Sequence, residues 1–341
     1  MKTIKTKDAV GCILCHDITQ IIKDVKKDVV FKKGHIIKEE DIDVLLSVGK
    51  DNIYVYEKEE GMIHENEAAF NLADLCLNDY MRLSEVKEGK VEIFSEIDGF
   101  FTVEVDILNK INELEDIMIA TRKGNIAVKK GDKLAGMRVI PLVIEKEKLD
   151  KAKQIQNGNK ILKLHKFKNK KAAIVTTGNE VYYERIKDTF TPVIVDKLSK
   201  YGIEVINHTV CKDDVNMITD AIKTSKNLGA QIIICTGGMS VDPDDLTPSA
   251  IRNSNAEIIT YGAPVLPGAM FLLGYFKDDS VVMGVPGCAM YLDTTIFDIM
   301  LPYAVAGIKV DKKHIAKLGY GGLCLSCDSC TYPNCQFGKG V

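Results

Sequence analysis

QIIICTGGMSVDPDDLTPSA, running from Gln231 to Ala250, carries strand, turn and helix signals in direct succession. Ile232-Ile233-Ile234-Cys235 is apolar and β-branched, too short for a helix, and reads as a buried strand. Thr236-Gly237-Gly238-Met239-Ser240 follows as a turn whose two glycines let the backbone approach a neighbour closely. Asp242, Asp244 and Asp245 then form an acidic patch, in which Asp242 and Asp244 read as a solvated first turn. Thr247-Pro248 reads as a helix start, with Thr as cap and Pro at the first helical position. Strand, glycine loop and helix N-terminus together form the arrangement that presents backbone N–H groups and a helix dipole to anionic ligands at the edge of a parallel sheet.

The flanks continue the alternation. Ala172 to Val175 reads as a strand ending in Thr176-Thr177-Gly178-Asn179-Glu180, and Pro192 to Tyr201 as a helix. A strand over Glu204 to Val210 and a helix over Val215 to Leu228 follow, with Asp213 and Asp214 at the helix start. Beyond the central loop come a hairpin-like piece around Tyr261 to Leu273, a strand at Ser280 to Gly284, a turn at Pro286-Gly287-Cys288 and a last helix at Tyr291 to Leu301. This pattern predicts an α/β domain with a mostly parallel, doubly wound sheet covered on both faces. The loops with Gly178, Gly237-Gly238 and Gly287 all follow strands, so they fall on one sheet edge and can line one pocket.

Smaller α+β units precede this domain. We divide the chain into a module at 1–60, a mixed module at 61–165, the α/β domain at 166–318 and a Cys-rich tail at 319–341. In the first module, Val10 to Ile18 reads as a strand interrupted by Cys12-x-x-Cys15-His16, Glu39 to Val48 as a helix stopped by Gly49, and Asn52 to Tyr56 as a strand. In the second, Glu145 opens a charged helix or linker that Asn157-Gly158-Asn159 breaks. In the tail, Cys324, Cys327, Cys330 and Cys335 stand at C-x2-C-x2-C-x4-C spacing, which suits zinc or an iron–sulfur cluster. Gly319 to Gly322 reads as a flexible hinge ahead of them.

Composition narrows the function. The 341 residues are 46% hydrophobic and 27% charged, ordinary for a globular chain of two or three domains. The net charge of −3 argues against a dedicated nucleic-acid binder. No apolar run approaches the ~20 residues of a membrane helix, and the N-terminal apolar stretch is too short for a secretory signal. Ten cysteines without such a signal point to a reducing cytoplasm, with thiols free or on metal.

Residues 171–302 resemble the molybdopterin-binding domain shared by molybdopterin adenylyltransferases and molybdopterin molybdenumtransferases. Thr177-Gly178-Asn179-Glu180 resembles the opening T/S-G-D/N-E strand end. Asp188-Thr189-Phe190-Thr191-Pro192 resembles the adenylyltransferase D-x-x-x-P, and Asp213-Asp214 an acidic pair before the next helix. Thr236-Gly237-Gly238-Met239-Ser240 with Asp245-Leu246-Thr247-Pro248 combines the T-G-G loop with D-x-T-P. Pro267-Gly268-Ala269-Met270 and Val285-Pro286-Gly287-Cys288 resemble the P-G-x-P and L-P-G-N-P pieces of the molybdenumtransferases, with Cys288-Ala289 standing where that family carries Asn and Pro.

The resemblance implies that molybdopterin, or its nucleotide form, is held by Thr177, Gly178, Glu180, Asp188, Thr236, Gly237, Gly238, Ser240, Thr247, Pro267, Gly268, Pro286 and Gly287. Asp245 and Asp213 would be catalytic, holding Mg²⁺ or steering adenylyl or molybdate chemistry; carboxylates suit that hard ion. The implied protein is a cytoplasmic transferase of molybdenum cofactor biosynthesis, homo-oligomeric as its relatives are, without nucleic-acid or membrane partners. Two other classes stay open. One is a non-catalytic carrier or sensor serving a molybdoenzyme, with the Cys tail for docking or for sulfur or electron handling. The other is a nucleotide-recycling hydrolase of the competence-damage-inducible type, whose loop resembles Asp244-Asp245-Leu246-Thr247.

Overall fold

The computed structural model describes residues 2–22, 26–55, 61–240 and 242–340. They form two compact units. The first comprises Met1–Ile97, Thr102–Gly124 and Lys129–Leu164, and the second comprises Asp98–Phe101, Asn125–Val128 and His165–Val341. No helix among the described residues is long and apolar enough to cross a membrane.

Short antiparallel pieces build the first unit. Lys2–Lys5 pairs with Asn52–Val55, and Ile18–Ile22 with Lys26–Phe31. Leu14, Ile18, Ile37, Leu45, Ile53 and Val55 form the core of this part. The strand predicted over Val10 to Ile18 does not form. Gly11, at φ +84°, turns the chain there, and Ile13 and Leu14 make only isolated bridges. The strand beginning at Asn52 runs to Val55, and Tyr56 lies outside the described residues. A four-stranded antiparallel sheet then takes the spatial order Met81–Leu83, Lys90–Ser95, Lys133–Val139, Ile117–Thr121. Helix Glu65–Cys76 buries Ala68, Ala69, Leu72, Ala73 and Cys76 on its inner side. Glu145 does open a helix: it spans Lys146–Gln156 and ends on Asn157 at φ 45°, a left-handed cap.

In the second unit, six strands make one sheet. We label β1 (Lys171–Thr177), α1 (Phe190–Ser199), β2 (Glu204–Cys211), α2 (Val215–Asn227), β3 (Ile232–Thr236), α3 (Thr247–Asn253), β4 (Glu257–Tyr261), β5 (Leu272–Tyr275), β6 (Val281–Val285) and α4 (Ile296–Ala306). The spatial order is β2-β1-β3-β6-β5-β4. The first four strands are mutually parallel, and β5 and β4 add on antiparallel, so the sheet is mostly parallel as expected.

Successive side chains of a strand face opposite ways, and the two faces have separate cores. On one face Ala172, Ile174, Ile232 and Ile234 meet Phe190, Ile194 and Leu198 of α1 and the apolar side of α4. On the other, Ala173, Val175, Ile233 and Cys235 meet Ile218 and Ile222 of α2 and Ala250 and Ile251 of α3. Burial on both faces explains why these strands read as unbroken apolar runs rather than alternations. The last helix starts at Ile296, later than predicted, because Thr295 and Asp298 form a reciprocal capping box there. A further short helix, Lys312–Lys317, follows it.

Candidate functional site

Neighbouring strands β1 and β3 send their following helices to opposite faces: α1 joins one core and α3 the other. The chain therefore parts above the carboxyl ends of these strands, the position where open α/β sheets form a ligand crevice. Thr177-Gly178 and Thr236-Gly237-Gly238 are its two lips.

The floor is a closed hydroxyl network. Thr177 Oγ1 donates to the Thr236 carbonyl (3.2 Å) and stands 3.1 Å from Thr247 Oγ1. Thr247 Oγ1 donates to the Gly237 carbonyl at 2.8 Å. The two glycines are needed because the lips touch. A Cβ on Gly237 would lie 2.2 Å from the Thr177 carbonyl oxygen, and one on Gly238 would lie 2.9 Å from Thr247 Oγ1. Both residues sit at positive φ, +84° and +56°, which glycine adopts without penalty.

This geometry corrects two expectations. Thr247 is the first residue of α3 rather than its cap, since its hydroxyl is committed to the floor and Leu246 holds the cap position without a side-chain bond. The amides entering α3 are also occupied. Asp245 N–H donates to Asp242 O, Leu246 N–H to Asp244 O and Thr247 N–H to Gly238 O. Phosphate capture by these three N–H groups is therefore not available.

Carboxylates form the rim. Asp213, in the loop after β2, accepts the Asn179 N–H at 2.9 Å, and Asn179 Oδ1 accepts the Asp213 N–H at 3.3 Å. This reciprocal pair ties the β1 and β2 loops together. Burial raises the Asp213 pKa, the Asn179 amide opposes the rise, and the negative charges of Glu180, Asp244 and Asp245 add to it. Those four carboxyl groups thus share one electrostatic neighbourhood. Asp245 Oδ2 accepts the Asp242 N–H at 2.9 Å, which braces the acidic loop. Ser240 is exposed, and its carbonyl and that of Met239 accept the Tyr261 hydroxyl at 2.9 and 3.0 Å. Among the described residues, no three His, Cys, Asp or Glu side chains stand close enough together to hold a single ion.

Asp188 belongs to an adjoining network. Its Oδ1 accepts the Phe190 and Thr191 N–H groups (2.9 and 3.0 Å), and its Oδ2 accepts the Thr191 hydroxyl at 2.6 Å. His208 Nε2 lies 3.0 Å from Thr176 Oγ1 and 3.1 Å from Thr191 Oγ1. Burial works to raise the Asp188 pKa, but the Thr191 hydroxyl, the two amides and His208 outweigh it, and the carboxyl sits below its ordinary value. These bonds also start α1 at Phe190, two residues ahead of the proline read as its beginning.

The last two glycine loops are placed differently. Gly287 opens a 3₁₀ turn, Gly287–Met290, with no atom within 4 Å of a would-be Cβ. Thr189 Oγ1 donates to Met290 Sδ at 3.2 Å, so this turn adjoins the Asp188 loop. Pro267-Gly268 packs instead on the start of α4, where a Gly268 Cβ would meet Ile296 at 2.7 Å. Sequence reasoning missed Thr176, Thr191, His208 and Tyr261. The only local signal was their polarity within or beside apolar runs.

Comparison with known proteins bears on this segment. Residues 173–305 match a family described as "Probable molybdopterin binding domain", and residues 3–57 match a domain of unknown function. A "Putative competence-damage inducible protein" of Bacillus thuringiensis (strain Al Hakam) is 33% identical over 106 residues, covering 31% of this chain and 25% of that protein. One of the same description from Bacillus cytotoxicus is 34% identical over 95 residues, covering 28% and 23%. The matches thus span about a quarter of the length of these relatives. Among solved structures, the protein CinA of Thermoplasma acidophilum aligns at 17% identity and TM-score 0.35, over 40% of this chain and 99% of that one. The molybdopterin biosynthesis enzyme MoaB of Thermus thermophilus aligns at 18% and TM-score 0.32, over 39% and 90%. On the match over 173–305, the α/β unit built on this sheet belongs to the molybdopterin-binding domain family.

Proposed function

We propose that the β1/β3 crevice binds molybdopterin or its nucleotide form, and that the chain serves molybdenum cofactor biosynthesis in the cytoplasm as a homo-oligomer. The observation that carries this reading is the union, at the switch point of a molybdopterin-family sheet, of touching glycine lips and a four-carboxylate rim. The donor set is hard oxygen, which suits Mg²⁺. When bound, that ion would neutralise phosphate charge and act as a Lewis acid. Asp213 and Asp245 would hold it, Asn179 keeps Asp213 in place, and the threonine floor keeps the two lips in register. Adenylyl transfer and molybdate insertion both fall within this chemistry, and so does carriage of the cofactor to a molybdoenzyme without turnover.

Anaerobic purification followed by oxidation of bound pterin to its fluorescent product tests the reading. The expected result is pterin retained by the parent protein. A pterin-free protein that also takes up no molybdopterin in vitro refutes it. The match to competence-damage-inducible relatives favours a second reading, a nucleotide-recycling hydrolase acting through the same loop. Turnover of ADP-ribose or a pyridine nucleotide by the purified protein would establish that reading, and absence of turnover removes it.

A further inference from the structure

The Cys-rich tail is docked. The Leu266 N–H donates to the Gly322 carbonyl and the Cys324 N–H to the Leu266 carbonyl, both at 2.8 Å, and these bonds lay the tail alongside the loop before Pro267. Gly322 is packed so closely that a Cβ would lie 2.4 Å from the Pro264 carbonyl oxygen and 2.5 Å from that of Leu318. The predicted hinge over Gly319 to Gly322 is therefore a fixed corner. At the other end Phe337, 3% exposed, and Tyr332 insert into the core beside α4. The Gly338 N–H donates to the Gly321 carbonyl at 3.0 Å and closes residues 321–338 into a loop.

All four tail cysteines line a single cavity of about 500 Å³ between that loop and the body of the domain, with Leu266, Leu292, Tyr332 and Phe337 among its apolar walls. All four are free thiols. Cys324 and Cys335 are half-buried against the core, whereas Cys327 and Cys330 are exposed at the mouth. Cys330 Sγ stands 3.3 Å from Thr294 Oγ1. The crevice reading leaves this cavity unused.

We propose that this loop is a thiolate site for an iron–sulfur cluster, ligated by Cys324, Cys327, Cys330 and Cys335. Two considerations select a cluster over a lone zinc ion. A tetrahedral zinc site draws its sulfurs to about 2.3 Å from one point, whereas no three of these thiols stand close enough together to hold one ion and the four residues line a cavity much larger than an ion. A cubane cluster puts each thiolate on a different iron, so its ligands stand further apart and its bulk fills such a space. Apolar walls also shield the core-facing side of such a cluster from water. Docking at both ends means that much of the ordering entropy is already spent before ligation. Assembly of the mixed-valence cluster needs ferrous and ferric iron in equal amounts together with sulfide from outside, so no further oxidant is required, and the four thiols release their protons to solvent as the Fe–S bonds form. The proposal stands apart from the reading of the crevice.

The test uses the full chain, purified without oxygen and reconstituted with sulfide and an equal mixture of ferrous and ferric iron. About four iron and four sulfide per chain, with a broad visible charge-transfer band, are expected. The double variant Cys327→Ser/Cys330→Ser should lose that band and the iron, while Cys12→Ser keeps both. A readout without substitutions accompanies it: in the reconstituted parent, mass spectrometry should find the four tail cysteines protected from iodoacetamide, and alkylated once iron is chelated. Zinc at one per chain without iron, no metal at all, or full iron and sulfide in the double variant would each overturn the proposal.

Discussion

Alanine at two loop glycines separates a packing role from a ligand-facing one. At Gly237, φ is +84° and a Cβ would lie 2.2 Å from the Thr177 carbonyl oxygen. An ordinary non-bonded contact is about 3.5 Å, so the lips would have to part by about 1 Å. The left-handed backbone costs about 1–2 kcal/mol for a residue with a Cβ, and forcing packed groups apart adds about 1–3 kcal/mol, for about 2–5 kcal/mol together. In a unit of this size, each kcal/mol moves the Tm by about 2–4 °C. Gly287 is the contrast: nothing lies within 4 Å of its would-be Cβ and its backbone is not left-handed. Gly287→Ala should be neutral or stabilise by up to about 1 kcal/mol through the unfolded chain. Urea and thermal denaturation of both variants read these values directly. If Gly237→Ala costs less than about 1 kcal/mol, or Gly287→Ala costs as much as Gly237→Ala, the packing argument is wrong. A Gly287→Ala protein of full stability that retains less pterin would identify Gly287 as a ligand-facing position.

Three further outcomes follow from the carboxylates. Asp245→Asn keeps an oxygen for the Asp242 N–H, so melting should be unchanged while cofactor-dependent activity is lost; full activity would remove Asp245 from the machinery. Asp213→Asn should raise stability at neutral pH. The raised folded pKa means that ionisation of Asp213 costs stability as pH rises above the ordinary carboxylate range near about 4, so the variant's gain should vanish below it. Equal stability of parent and variant from acid to neutral pH would contradict this. Asp188 has the opposite sign. Its depressed folded pKa contributes stability that is present above about pH 4 and lost as pH falls through the folded value, so Asp188→Asn should flatten the acid limb of the pH–stability curve.

The sheet was legible because β1, β3 and β6 are buried on both faces and therefore written as unbroken apolar runs, with glycine immediately after β1 and β3 and two residues past β6. The lips were legible for the same reason: Thr177-Gly178 and Gly237-Gly238 mark strand ends. What Thr247 does was not. Its hydroxyl serves Gly237 and Thr177, partners fixed only when the loops close, so a local capping rule assigned it to its own helix. The network of Thr176, Thr191 and His208 draws on three separate elements and has no local spacing to betray it. The tail has no periodicity, and its order comes from backbone pairing to Leu266 and from two aromatic side chains, all of which are non-local.

The acidity of the rim constrains how a phosphate can sit there. Burial first, and then the negative charges of Glu180, Asp244 and Asp245, raise the pKa of Asp213, so negative charge brought to this rim is opposed there. The three amides entering α3 are bonded within their own loop. An anionic ligand brought to this rim meets repulsion unless a cation lies between, so the molybdopterin reading and a divalent-ion requirement stand together. EDTA should therefore release pterin from the protein, and Mg²⁺ should restore its uptake, with more Mg²⁺ needed in Asp213→Asn because one of the two carboxylates that would hold the ion is gone. Pterin retention indifferent to EDTA would mean that the phosphate lies away from the carboxylates, along the Gly287 turn beside Thr189, and would transfer the binding role from the acidic lip to that turn.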